Sequence, residues 1–151
     1  MRHNEWVSTF AAVFAQTQQG WVGTEAVLTE AEGVDDIADL MREAAVESYG
    51  DPVVLLIEQD DDWFAVLRLD GESEPLAFIS TVREDGLGSL FHQLVGEVPD
   101  GEPGGDPALL EDLGVDAKRL TELGERALPG DALLTVAELA GFGEEFDRLR
   151  D

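Results

Sequence analysis

The densest apolar pattern lies in the middle of the chain. Residues 53–57 form an unbroken apolar run that is too short for a globular helix and rich in β-branched residues, which predicts a strand buried on both faces. An acidic segment at 59–62 turns the chain, and residues 63–69 return as a second strand. A turn signal, Asp70-Gly71, precedes a third strand at 76–80. We therefore expect an antiparallel meander at the centre of a sheet.

Two patterns precede this meander. Residues 6–15 and 21–28 are rich in β-forming residues and are separated by a Gln-rich turn ending in glycine, which predicts a hairpin. Apolar residues then recur at helical spacing over 37–49, with Asp35 or Asp36 available as the N-cap. The order β-β-α-β-β-β predicts an α+β fold with a largely antiparallel five-stranded sheet, and it favours helices on one face of that sheet.

The pattern weakens after the meander. Residues 87–94 keep helical spacing with a poor start, and 96–106 are rich in Gly, Pro and acidic residues, which is typical of a linker. These features predict an α+β domain at 1–95 and a helical C-terminal unit at 107–151 that packs on it.

Short helices are predicted in the C-terminal unit. Pro107 is expected to start the first and Gly114 to end it. Asp116 and Asp131 are expected to cap the next two, and Gly141 to stop the third. The last apolar stripe is formed by Phe142, Phe146 and Leu149.

The net charge of the chain indicates which classes of partner it can bind. The 151 residues contain 34 acidic and 9 basic side chains, a net charge of −25, and every third of the chain is strongly negative. An acidic coat repels nucleic acid phosphates and anionic lipids, and it favours basic protein partners. Solubility is the competing explanation for the same charge.

Composition and motifs exclude several classes of chemistry. Without cysteine the chain has no disulfide, catalytic thiol or thiolate zinc site. No apolar run approaches the ~20 residues that span a membrane, and we predict a cytoplasmic protein.

The remaining candidate motifs are weak. Asp60, Asp61 and Asp62 lack the alternating ligands and the closing Glu of a calcium loop, and a solvated hairpin turn explains them better. His92 has no acid or nucleophile at a recognisable spacing. Leu128-Pro-Gly precedes a predicted helix but lacks the second glycine of a DNA-binding hairpin. We predict no metal, cofactor or catalytic residue.

Several segments together resemble a known family. They are Gly-Asp-Pro-Val-Val-Leu-Leu-Ile-Glu at 50–58, Trp-Phe-Ala-Val-Leu-Arg-Leu-Asp-Gly at 63–71, Gly-Asp-Pro-Ala-Leu-Leu-Glu-Asp-Leu-Gly at 105–114, Leu-Pro-Gly-Asp-Ala-Leu at 128–133 and Ala-Gly-Phe at 140–142. Over nearly its whole length the chain resembles the actinobacterial tRNA adenosine deaminase-associated proteins. The resemblance implies an association with that enzyme. The chain is not itself the deaminase, because it has no cysteine to hold the catalytic zinc.

These observations lead to a functional hypothesis. We expect a non-catalytic acidic binding or regulatory protein whose partner is tRNA adenosine deaminase, and we predict no particular oligomeric state. It docks either through its acidic coat in competition with tRNA, or through apolar helix faces. The alternatives are an enzyme with an unrecognised carboxylate site and an acidic protein that binds another basic partner. The predicted partner-binding residues are Asp60, Asp61, Asp62, Leu139, Phe142 and Phe146.

Overall fold

The structure, a computed structural model, describes residues 9–26, 34–48, 52–59, 63–70, 75–81 and 101–150. Within these ranges the strands are β1 Thr9–Thr17, β2 Gly20–Glu25, β3 Val53–Gln59, β4 Trp63–Leu69, β5 Leu76–Ile79 and β6 Gly104–Gly105. The α-helices of the same ranges are α1 Val34–Ser48, α2 Ala117–Arg126, α3 Pro129–Ala140 and α4 Gly143–Arg150. A 3-10 turn at Glu111–Leu113 precedes α2.

The strands form one sheet in the order β2-β1-β3-β4-β5-β6, and each described pair is antiparallel. The predicted hairpin and meander are both confirmed, and with them the α+β fold. β1 joins the two, because it pairs with β2 on one side and with β3 on the other.

A sixth strand extends the predicted five. Gly104–Gly105 pairs with Phe78 and Ile79 of β5, inside the segment that sequence patterns assign to a linker. At Gly105 the φ angle is +97°, and a Cβ atom there would lie 2.0 Å from the carbonyl oxygen of Ala77. This approach requires glycine. The domain boundaries at 95 and 107 stay a prediction.

Helices cover both faces of the sheet. Val53, Leu55 and Ile57 face α1, whereas Val54 and Leu56 face the C-terminal helices. All five side chains are at most 1% exposed. The expectation of helices on one face was therefore wrong, because central strands that are apolar on both faces need a cover on each.

The starts of two helices differ from those predicted. α1 begins at Val34 and α3 at Pro129, so Asp35, Asp36 and Asp131 lie in first turns and are not N-caps. Pro129 suits the first helical position, and acidic residues in a first turn complement the helix dipole.

The remaining helix boundaries in the C-terminal unit agree only in part with the predictions. Asp116 occupies the N-cap of α2, as predicted, although its side chain makes no capping hydrogen bond. Gly114 and Gly141 end the 3-10 turn and α3 in left-handed conformations with φ of 105° and 102°. Pro107 starts no α-helix, because the chain forms turns up to Glu111–Leu113. The helix predicted over 87–94 lies outside the described residues.

A cluster of aromatic side chains packs the connection between α3 and α4, and α4 itself, against the β1–β2 hairpin. The ring of Phe142 stacks on Phe14 of β1 with centroids 4.4 Å apart and contacts Trp21 of β2 at 4.7 Å. Phe146 of α4 meets Phe10 edge-on at 5.5 Å. Offset and edge-on ring pairs add to the free energy that burial of apolar area already provides.

We predict that Phe142→Ala lowers the free energy of unfolding by about 3–5 kcal/mol, because it leaves a cavity in the cluster. Urea unfolding measures this change. Leu139→Ala, on an exposed side chain of α3, is the control and costs less than about 0.5 kcal/mol. Equal losses for the two variants would contradict the packing described here.

Candidate functional site

The structure separates the residues that were predicted to bind a partner. Leu139 is 41% exposed on α3, whereas Phe142 and Phe146 are at most 1% exposed and pack in the sheet–helix core. Asp60, Asp61 and Asp62 lie outside the described residues, as does His92. Of the three apolar residues, Leu139 is thus the one with surface to offer a partner, and the partner-binding roles stay a prediction.

Leu139 borders an open depression of about 400 Å³ between the start of α2 and the end of α3. Its polar lining combines two cations, Lys118 and Arg119, with two carboxylates, Asp116 and Glu122. The depression is therefore mixed in charge, in contrast to the strongly negative chain around it.

A larger concave surface lies between the β1–β2 hairpin and α1. This open groove, about 620 Å³ in volume, is called the β2 groove below. Its apolar lining includes Val13, Ala15 and Val22 on the sheet, and Leu40 and Ala44 on α1. Glu43 of α1 also lines it, and Glu25 borders it at the end of β2.

Val22 is the most exposed part of the apolar lining. Its side chain is 47% exposed although β2 is flanked on its inner side by β1. The sequence analysis did not predict this groove, because it identified β2 as a strand but could not show whether another element would lie beside its outer edge. The available signal was the alternation of side chains along β2, which places Trp21 and Gly23 on one face of the strand and Val22 and Thr24 on the other.

Arg68 of β4 forms the main ion pair of the described chain. Its guanidinium donates to both carboxylate oxygens of Asp112, with Nη2 2.9 Å from Oδ2. It also donates to the carbonyl of Leu109 at 2.9 Å, and Nε lies 3.1 Å from Asp70. The Arg68 side chain is 11% exposed and that of Asp112 is 62% exposed.

This ion pair shifts the pKa of Asp112, and the shift is explained by the structural contact with Arg68. The hydrogen bond from Arg68 lowers the pKa of Asp112. Both groups are used in joining β4 to the 3-10 turn, so the shift has a structural cause. Within the described ranges, no group of three or more His, Cys, Asp or Glu side chains is placed to hold a metal ion.

The described helices were also compared with the requirements for spanning a bilayer. Within the ranges that the structure covers, no helix has both the length and the apolar content needed to cross a membrane.

Comparison with protein families gives a match over most of the chain. Residues 9–143 match the family described as Rv3753c-like tRNA adenosine deaminase-associated protein. The chain belongs to this family. Comparisons with curated proteins and with solved structures found no match. The resemblance drawn from the sequence is thus confirmed, and the family name implies an association with tRNA adenosine deaminase.

We predict that Asp112→Asn destabilises this family member in a pH-dependent way. The folded pKa of Asp112 is below its ordinary value, so the stabilisation is complete above the unfolded pKa of about 3.9 and disappears as the pH falls through the folded pKa. Because the carboxylate is mostly exposed, the expected loss at pH 7 is about 1 kcal/mol.

Urea unfolding of the original protein and of the Asp112→Asn variant, at neutral and at acidic pH, measures this difference in stability. Asp39→Asn, which breaks an exposed ion pair with Arg42 within α1, is the matched control and should change stability by less than about 0.5 kcal/mol. A loss for Asp112→Asn that does not shrink on acidification would contradict the assignment.

Proposed function

We propose that this protein is a non-catalytic accessory partner of tRNA adenosine deaminase that binds a basic surface of the enzyme. Membership of the family supports the identity of the partner. The net charge of −25 supports the chemistry of the contact. An enzyme that acts on tRNA needs cationic side chains to bind phosphates, and an acidic chain complements such a surface.

The distribution of charge in the fold is the observation that carries this proposal. Exposed carboxylates lie on both helical layers, with Asp35 and Asp39 on α1 and Glu122 and Glu125 on α2. One of the few cations, Arg68, is occupied by Asp112 and Asp70. The surface therefore presents a negative potential from both sides of the sheet, which steers a basic partner towards it.

Burial favours this contact over docking through the apolar faces of the C-terminal helices. Phe142 and Phe146 belong to the core, which leaves Leu139 as the exposed apolar residue among the three predicted to dock. One leucine beside a depression of mixed charge offers little area for an apolar interface. The acidic surface is therefore the proposed contact, and it competes with tRNA for the enzyme.

The first test is a binding titration against the tRNA adenosine deaminase of the same organism. We expect the Kd to rise by about tenfold or more between about 50 and 300 mM salt, because screening weakens contacts between exposed charges. Added tRNA should displace the protein. An unrelated protein of similar negative charge is the control for specificity. No binding at low salt, or salt-resistant binding alongside tRNA, would refute the proposal.

The second test concerns the three consecutive acidic residues that follow β3 in the sequence. We expect Asp60, Asp61 and Asp62 to belong to the contact, since three adjacent carboxylates concentrate negative potential. Replacing all three by Asn should weaken binding by about tenfold. The control neutralises the same number of exposed acids elsewhere, by Asp35→Asn, Glu122→Gln and Glu125→Gln. Equal weakening by the two triple variants would show that total charge matters and that Asp60, Asp61 and Asp62 have no special role.

A further inference from the structure

Within the described residues, the outer edge of β2 is open to pairing. Among the described strands β2 is the terminal member of the sheet, with β1 as its neighbour on one side. The amide of Ala26 donates to the carbonyl of Ala11 at 2.8 Å, and the same register pairs Thr24 with Val13. Backbone groups on an antiparallel strand alternate between its two sides.

This register decides which groups point outward. Val22, Thr24 and Ala26 direct their N–H and C=O groups to β1, so the intervening residues direct theirs away from it. In the described part of the chain these outward groups have no backbone partner. The outward residues are Trp21, Gly23 and Glu25.

The edge has few of the features that normally block pairing. Natural edge strands are protected by Lys, Pro, bulges or very short length. β2 is six residues long with the sequence GWVGTE, and it contains no Lys and no Pro. Its pairing with β1 is continuous from Thr17↔Gly20 to Ala12↔Glu25. Glu25, at the last position, is the one charged residue of the strand.

Charge identifies what kind of segment fits this edge. The β2 groove beside it combines an apolar lining that includes the exposed Val22 with the acidic residue Glu43. Glu25, which pairs with Ala12, adds a carboxylate at the end of the strand on the opposite face. A second copy of the chain would bring another net charge of −25 to the same place, and like charges in contact disfavour pairing. The complementary occupant carries apolar and basic side chains.

We infer that β2 is the docking edge for an extended segment of the protein partner, which adds a strand to the sheet. The segment places apolar side chains beside Val22 in the β2 groove and basic side chains near Glu25 and Glu43. Backbone hydrogen bonds to Trp21, Gly23 and Glu25 supply affinity, and the groove supplies selectivity. This inference rests on the proposed function, because it takes the partner to be tRNA adenosine deaminase.

Amide hydrogen exchange read residue by residue by NMR tests the inference directly. In the free protein the amides of Trp21, Gly23 and Glu25 should exchange fast, and those of Val22 and Thr24 slowly. Saturating tRNA adenosine deaminase should slow the three outward amides by about tenfold or more, since each then donates to the added strand. The alternation along β2 would disappear in the complex.

Substitution of Val22 provides an independent readout. Val22→Lys should weaken binding of the deaminase by about tenfold or more, because it repels a basic segment and introduces the residue that blocks natural edges. Leu128→Lys makes the same change of charge at a side chain that is 59% exposed outside the groove, and it should stay within about twofold of the original chain, the small effect expected away from the contact.

The outcomes separate this inference from the proposed function. Failure of the unaltered chain to bind the deaminase overturns the proposed function and this inference with it. Binding without added protection of the three outward amides overturns the inference alone. Equal weakening by Val22→Lys and Leu128→Lys, with both variants folded by thermal unfolding, also overturns it. Protection that appears on raising the protein concentration without the deaminase shows self-pairing and refutes a basic partner at this edge.

Discussion

Two central strands that are apolar on both faces impose the constraint on which the rest of the structure depends. β3 and β4 lie in the middle of the sheet, and the residues 53–57 are at most 1% exposed. Such strands are stable only when each face is covered, since exposed apolar area on either side would oppose folding. α1 supplies one layer and the C-terminal helices supply the other. The helices of the C-terminal unit are too short to be stable alone in water. The helices and the sheet therefore stabilise each other.

Different interactions hold the C-terminal layer at its two ends. At the hairpin end, the rings of Phe142 and Phe146 pack against Phe14 and Phe10 of β1. At the β4 end, Arg68 reaches Asp112 and the carbonyl of Leu109. The aromatic contacts exclude water and are insensitive to salt, whereas the ion pair is partly exposed and depends on pH and ionic strength. Together they fix the helical layer in position and direction over the sheet.

The same packing decides which surfaces are left for a partner. Burial removes Phe142 and Phe146 from the surface, and with them most of the apolar face that sequence periodicity offered for docking. Among the described residues, what remains exposed is an acidic coat, isolated apolar side chains such as Leu128 and Leu139, and the outer edge of β2 with its groove. These exposed features are the basis of the proposed contact, in a family whose name links it to tRNA adenosine deaminase.

The sequence by itself determined the order of elements along the chain, the hairpin, the meander, the main helix and the glycine stops, because these follow from local periodicity and from the backbone freedom of glycine. It also determined the acidic character and the family. Tertiary structure decided which face each helix covers, the pairing of Gly104–Gly105 with β5, and the inward direction of Phe142 and Phe146. It alone decided that β2 lies at an edge. These features depend on contacts between residues far apart in the chain, and an apolar stripe shows the same pattern whether it faces the protein's own core or a partner.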